Sequence, residues 1–303
     1  MAQTNQYRKL GKNISIISLG SFASKILSFL LIPFYTKVLT TKEFGLADLI
    51  VTGFSLLLPF FTMEIRAAMM RFALDEESDH GKILKTSTVM LSISFLLFLA
   101  CSPVVLFSEV LKEYYWLLLL YYVTFLVQTN LAYFMRGMEQ VKIYAIGGVV
   151  NTFVLITTNL IFLLGFQWGV GGYLLAFCCG NGVSFLYMFF AGKVWRIYGK
   201  GAGFDKNLAK EMLRYAIPMM PNSLSWWISN SSDKYIVTWF CGTAVTGIYS
   251  VAYKMPSMIS VVVQIFYNAW SISAVDGFGS EETLKFYNSI YKKYIAGTFF
   301  FAS

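Results

Sequence analysis

Four cations sit where the sequence is otherwise apolar. Lys25 lies near the middle of "SFASKILSFLLIPFY", Lys234 in "NSSDKYIVTWF", Lys254 in "SVAYKMPSMI", and Arg66 just beyond "VTGFSLLLPFFTME". An isolated lysine at bilayer depth costs roughly 2.5–3.5 kcal/mol on insertion scales. Arginine offers a planar fork that matches phosphate, while lysine acts as a point charge. Two carboxylates, Asp48 and Asp233, lie in the same stretches. A continuous helix would set Glu64 about 160° from Arg66, so Glu64 is expected to point elsewhere. Four cations against two carboxylates make a positive pocket suited to an anion such as phosphate or pyrophosphate. The alternative is a set of neutralising ion pairs, Lys25–Asp48 or Asp233–Lys254. Asp233 and Lys234 cannot simply cancel each other, because helical neighbours point about 100° apart.

The surrounding polar residues form stripes. In the first apolar stretch Ser18, Ser21, Ser24, Lys25, Ser28, Tyr35 and Thr36 fall within about 120° of helical arc. Asp48, Thr52, Ser55, Pro59, Thr62 and Arg66 fall within about 80° in the second. Further along, Asn222, Ser225, Ser229, Ser232 and Asp233 share one face, and Ser223, Asn230 and Lys234 another. Lys254, Ser257, Gln264 and Asn268 share a third. Serines alone read as packing surfaces. With ionisable residues among them the stripes read as cavity walls, with Asp48, Asp233, Asn222, Ser229, Asn230, Gln264 and Asn268 as polar lining.

The elements that must carry these stripes are membrane helices. The chain has 303 residues, 57% hydrophobic and only 13% charged, and its mean hydropathy is +0.60. A helix needs about 20 apolar residues to cross the hydrocarbon core. Such stretches run roughly over 13–38, 45–63, 84–107, 114–135, 143–165, 170–191, 217–240 and 247–272, with a ninth beginning at 293. The first is too long for the apolar region of a cleavable signal peptide. Outside the spans, Lys and Arg gather at the N-terminus and after even-numbered spans; the alternate loops hold only Lys37, Lys42 and Lys112. The positive-inside rule therefore places the N-terminus in the cytoplasm of a cell-membrane protein, and the net charge of +8 is a topology signal with no nucleic-acid footprint. The expected fold is an all-α polytopic bundle, two parallel lobes around a central cavity.

Hydrolytic or metal chemistry has little to work with. His80 lies in an acidic polar loop, and Cys101, Cys178, Cys179 and Cys241 lack metal or redox spacing. The external connections, 39–44, 108–113, 167–169 and 241–246, are too short for the catalytic loop of a membrane polymerase or ligase. No enzyme activity, metal or cofactor is expected. Residues 193–216 read as a cytoplasmic amphipathic linker after a Gly-rich turn. Across it, "TKVLTTKEFGL" (36–46) aligns without gaps with "TWFCGTAVTGI" (238–248). Six spans separate these copies, which is the plan of parallel-repeat transporters with substrate bound between halves. The chain thus divides into a first lobe at 1–192, the linker, and the start of a second lobe at 217–303. It ends at "FFFAS", inside the ninth span, so the second lobe is expected to be incomplete through truncation.

Two segments carry a family resemblance. "KNISIISLGSFASKILSFLLIPFYTKVLTTKEFGLADL" resembles the opening helices of bacterial polysaccharide-biosynthesis flippases. "AIPMMPNSLSWWISNSSDKYIVTWFCGTAVTGIYSVAYKMPSMI" resembles their seventh and eighth helices more closely. These belong to the multidrug, oligosaccharidyl-lipid and polysaccharide exporter superfamily. The resemblance implies two lobes around a V-shaped cavity. It implies transfer of an undecaprenyl-pyrophosphate-linked oligosaccharide to the external leaflet by alternating access, coupled to an ion such as H+ or Na+. A cationic cavity would map onto Lys25, Arg66, Lys234 and Lys254, and coupling onto the carboxylates and polar lining. Implied partners are the polyprenyl-linked glycan, membrane lipids and polysaccharide-assembly proteins around a functional monomer. A peptidoglycan lipid-precursor flippase and a cation-coupled multidrug exporter share the fold and remain alternatives; the lysine excess argues against a cationic drug.

Overall fold

The structure, a computed structural model, describes residues 31–75, 78–200 and 203–276, with the helical path alone for 255–276. All its regular elements are helices, with no strand among the described residues. Lipid cannot satisfy an exposed backbone, and a helix bonds its own polar groups internally. In chain order they are α1 Ile32–Val38, α2 Thr41–Thr62, α3 Ile65–Ala73, α4 His80–Cys101, α5 Tyr115–Gly137 and α6 Val141–Leu160. Then follow α7 Gly169–Ala191, α8 Val194–Lys200, α9 Lys206–Ala216 and α10 Met220–Asp276. Short 3-10 turns at Ser102–Phe107 and Lys112–Tyr114 join α4 to α5, and α6 runs on as a π-turn through Gly165.

Six stretches are long and apolar enough to cross a membrane: Thr41–Thr62, His80–Phe107, Lys112–Gly137, Val141–Gly165, Gly169–Ala191 and Lys206–Lys254. The first five coincide with the expected second to sixth spans. The last contains the expected seventh span and enters the eighth. Of the expected first span only its end, α1, lies within the described residues; Lys25 and the ninth span lie outside them.

The element α10 is a hairpin of two helices broken at Gly242, whose φ of 84° and ψ of 169° only glycine adopts readily. In one continuous helix, residues 233 and 249 would lie some 24 Å apart. Instead the Tyr249 hydroxyl donates to Asp233, and the Thr238 and Thr246 hydroxyls meet at 2.8 Å. The chain therefore folds back on itself. The loop expected at 241–246 is a single-residue turn, because one glycine in this conformation reverses the path and Thr246 closes the new first turn onto the Gly242 carbonyl.

A second departure lies after α2. The sequence reads as loop beyond the span, but α3 forms there. It packs Ile65, Ala68, Met69 and Ala73 inward with Met135, Met188 and Met212. Met63 and Glu64 both adopt left-handed backbone (φ 49° and 57°), which breaks α2 from α3. The linker holds α9, amphipathic as expected. Ala209, Met212 and Ala216 are buried, while Lys206, Lys210 and Arg214 face outward. Asp205 accepts from the backbone N–H groups of Asn207 and Leu208 as its cap, and its carboxylate pairs with Lys82 of α4. That pairing, with the cap bonds, holds the Asp205 carboxyl below its usual range. The linker helix is thus docked on α3 and α4. At the opposite end an aromatic core gathers Tyr35, Phe44, Phe54, Phe98, Tyr122 and Tyr173 from five helices; the Tyr122 and Phe98 rings stack at 3.6 Å between centroids.

Candidate functional site

Among the described residues the most extensive helix pairing is α2 with α10. It is drawn tight by hydrogen bonds from α10 side chains to α2 carbonyls. Trp227 Nε1 donates to Thr52 at 2.9 Å and the Tyr235 hydroxyl to Leu49 at 2.8 Å. Gly53 makes room for the latter, since a Cβ there would stand 2.8 Å from the Tyr235 oxygen. Both carbonyls lie within helix α2, and that of Thr52 also accepts from the Ser55 hydroxyl at 2.5 Å.

Within this seam lies the buried charge. Lys234 Nζ donates to Asp48 Oδ2 at 2.7 Å, and both residues are over 90% buried. Lys254, from the second arm of α10, also lies within electrostatic reach of Asp48. Its ammonium stands 4.7 Å from the centre of the Phe44 ring and 5.9 Å from that of Tyr35, an arrangement that favours a cation through the ring quadrupole. Asp233 turns the other way: Oδ1 accepts from the Lys234 backbone N–H at 2.9 Å, and Oδ2 from Tyr249. The helical offset between neighbours explains the split, with Lys234 aimed at α2 and Asp233 at the returning arm.

Among the described residues Asp48 pairs with Lys234 and Asp233 accepts from Tyr249; the expected Lys25–Asp48 pair lies outside the described residues because of Lys25. The expectation for Glu64 is overturned. Arg66 Nε and Nη2 both donate to the Glu64 carboxylate, at 2.7 Å each. The angle of 160° presupposed one helix, whereas the left-handed turn at Met63 and Glu64 resets the phase. Burial pushes the Glu64 carboxyl up, but the Arg66 bonds and charge and the Ser223 hydroxyl outweigh it and hold the carboxyl below its ordinary range. Among the described residues Lys234, Lys254 and Arg66 therefore face Asp48, Asp233 and Glu64 in equal number. The positive excess read from the sequence does not come from these six groups.

The remaining polar lining is dispersed. Asn222, Ser229 and Asn230 are exposed on the first arm of α10, and Asn230 donates to the Trp226 carbonyl. The side chains of Gln264 and Asn268 lie outside the described residues. No cluster of His, Cys, Asp or Glu suited to a metal occurs among the described residues. His80 starts α4 and bonds the Ala73 carbonyl through Nε2.

One cation at the α3–α5 end escaped the sequence reading. The Arg136 guanidinium lies 4.0 Å from the centre of the Tyr133 ring and 4.9 Å from that of Tyr144, while Arg66 stands 5.3 Å from the same Tyr133 ring. Arg136 Nε is buried without a hydrogen-bond partner, as is Gln140 Oε1 in the α5–α6 turn. No carboxylate pairs with Arg136 among the described residues. An unmet buried donor costs about 1–3 kcal/mol. The available signal was "YFMRGMEQVKIY", a basic residue flanked by tyrosines at a span's end.

Solved structures with the same architecture are transporters. A MATE in complex with MaL6 superposes with a TM-score of 0.59 at 15% identity, over 87% of this chain and 68% of the other. A MOP superfamily transporter from Pyrococcus furiosus, described by a binding pocket of reverse polarity, gives 0.57 at 15% identity over the same shares. The outward-facing conformation of a multidrug resistance MATE family transporter gives 0.54, again at 15% identity over 87% and 68%. At such identities the likeness concerns the fold. No curated protein matches the sequence. The family described as "Polysaccharide biosynthesis protein" matches residues 10–271, nearly the whole chain. The chain is therefore a multi-pass membrane protein of exporter architecture and belongs to the polysaccharide biosynthesis protein family.

Proposed function

We propose that the protein is a flippase that moves polyprenyl-pyrophosphate-linked oligosaccharide units from the cytoplasmic to the external leaflet of a bacterial inner membrane. The observation that carries this reading is the buried Asp48–Lys234 pair, with the half-buried Lys254 near it, in the α2–α10 seam of a polysaccharide biosynthesis protein. Ionisable groups at membrane depth are costly to bury, and they mark substrate or ion pathways. Lys234 can exchange Asp48 for a substrate phosphate, leaving the carboxylate to Lys254 or to a coupling H+ or Na+. The N-terminus faces the cytoplasm in this proposal, as the distribution of Lys and Arg favours. The family's role makes O-antigen, capsule or exopolysaccharide the product.

The test is replacement of Lys234 or Lys25 by Ala in the producing strain. Surface polysaccharide should fall to background, with normal membrane levels of the protein for Lys25→Ala and comparison at matched protein levels for Lys234→Ala, which strands Asp48. Normal polysaccharide in both variants would overturn the reading. A second reading, export of a cationic compound, is favoured by one observation: the six described charges balance, so they do not repel a cation. Drug susceptibility of a deletion strain separates the two, since only an exporter of drugs changes it without changing polysaccharide.

A further inference from the structure

We propose that Arg136 and Arg66, arranged about Tyr133, form an anion-docking site for a phosphate or pyrophosphate group at the α3–α5 end of the molecule. The site is separate from the Asp48–Lys234 cluster, and it rests on the flippase reading only for the identity of its ligand.

Three observations converge. First, the Arg136 guanidinium carbon lies over the Tyr133 and Tyr144 rings. Such cation–ring contacts are electrostatic and spend no N–H donor, which leaves the donors for a ligand. Second, one of these donors is unspent, with Nε buried and unpartnered. A fork held rigid by two rings loses little freedom on binding, and phosphate oxygens complement its geometry. Third, Arg66 shares the Tyr133 ring. Glu64 engages its Nε and Nη2, so Arg66 is oriented while its Nη1 remains outside that fork. Two arginines on one ring give a diphosphate two attachment points. The unpartnered Gln140 Oε1 in the next turn would take a hydroxyl, as a sugar beside the phosphate would supply.

The site's place in the fold gives it a task. The Glu64 that orients Arg66 follows directly on α2, whose partner in the seam is α10. The arginine pair therefore flanks the seam at the end opposite the Gly242 turn, which the proposed orientation makes cytoplasmic. An anionic headgroup captured there enters at the foot of the seam whose middle holds Lys234.

The experiment uses the full-length protein in phosphatidylcholine nanodiscs. Binding of a polyprenyl pyrophosphate, of inorganic pyrophosphate and of phosphatidylglycerol is measured by titration for wild type, Arg136→Gln and Arg136→Lys. Arg136→Gln should weaken binding of the recognised anion at least tenfold. Arg136→Lys keeps the charge and guards against misfolding; losing the fork, it should fall between. If the polyprenyl probe alone shows this loss, the ligand is the lipid-linked substrate. If inorganic pyrophosphate shows it equally, the phosphates suffice, and if phosphatidylglycerol shows it, the source is bulk anionic lipid. Arginine-dependent binding of inorganic pyrophosphate without any polyprenyl binding keeps the site and overturns the flippase reading. Equal polyprenyl binding in all three proteins overturns the site and leaves that reading standing. Absence of all binding to wild type also overturns the site.

Discussion

At the scale of single residues, the seam holds a buried ion pair whose contribution to stability can be told apart from any contribution to transport. Asp48 and Lys234 are each other's desolvated partner at 2.7 Å. Removing one side of such a pair leaves an uncompensated buried charge and costs about 3–5 kcal/mol, whereas replacing both with apolar groups is often neutral. Asp48→Leu alone should therefore lower thermal stability in nanodiscs markedly, and Asp48→Leu with Lys234→Met should recover most of the loss. Polysaccharide export should be absent in both. Export by the stable double variant would show that the pair is structural. Glu64 and Arg66 give a second prediction, with a defined sign. The Glu64 carboxyl is held below its ordinary value of 4.5, so its contribution is present above that value and lost as pH falls through the lower folded one. Wild type should be more stable than Glu64→Gln at pH 7, and the gap between their melting temperatures should close only below pH 4.5. A gap that closes near neutrality would contradict the bonded fork.

At the scale of elements, α9 belongs mechanically to the helices before it. Its cap, Asp205, is tied to Lys82 and its backbone N–H donates to Thr86 Oγ1, while Met212 is fully buried on α3 and α4. Asp205→Ala removes both the cap and the tether. Amide exchange over 206–216 should rise severalfold while exchange within α5 and α7 stays unchanged; uniform exchange throughout would mean that packing alone holds the helix. Such elements also show what the sequence discloses. Five spans are legible because about 20 apolar residues with charged flanks admit one structure in lipid. The amphipathic α9 is legible because its apolar positions recur with helical period. The break at Met63 and Glu64 is not, because two non-glycine residues in left-handed backbone leave no compositional trace, and so the Arg66–Glu64 fork was hidden. The Lys234–Asp48 pair was hidden for another reason. A helical wheel gives the face of each residue but not which of several faces will meet.

At the scale of the whole molecule, the weak internal repeat becomes a physical contact. The aligned segments 36–46 and 238–248 place Thr41 opposite Thr243 and Gly45 opposite Gly247. In the folded chain these four residues touch, and they do so reciprocally. A Cβ on Gly45 would strike the Thr243 carbonyl oxygen, and one on Gly247 would strike the Thr41 carbonyl oxygen. The Gly45 position would also lie 2.8 Å from the Gly247 nitrogen. A contact that maps onto itself when the copies are exchanged is what a two-fold relation between them produces. It closes the seam at the end where the first span joins the second and the seventh joins the eighth, which is external in the proposed orientation. The proposed transport by alternating access requires this end to part. Neither backbone can yield to an added methyl, so Gly45→Ala should shift the population toward the parted state. The reporter is Thr246, fully buried beside the contact, changed to Cys in a protein whose native cysteines are replaced. A membrane-impermeant thiol reagent should label it roughly tenfold faster in the Gly45→Ala background, the effect of about 1.4 kcal/mol on the balance. Gly247→Ala should do the same, by the reciprocity of the contact. Gly182→Ala, where a Cβ meets nothing within 4 Å, should leave labelling unchanged. Equal labelling in all backgrounds would mean that the glycine crossing is a fixed joint, and the parting of the halves would then have to occur elsewhere along α2 and α10.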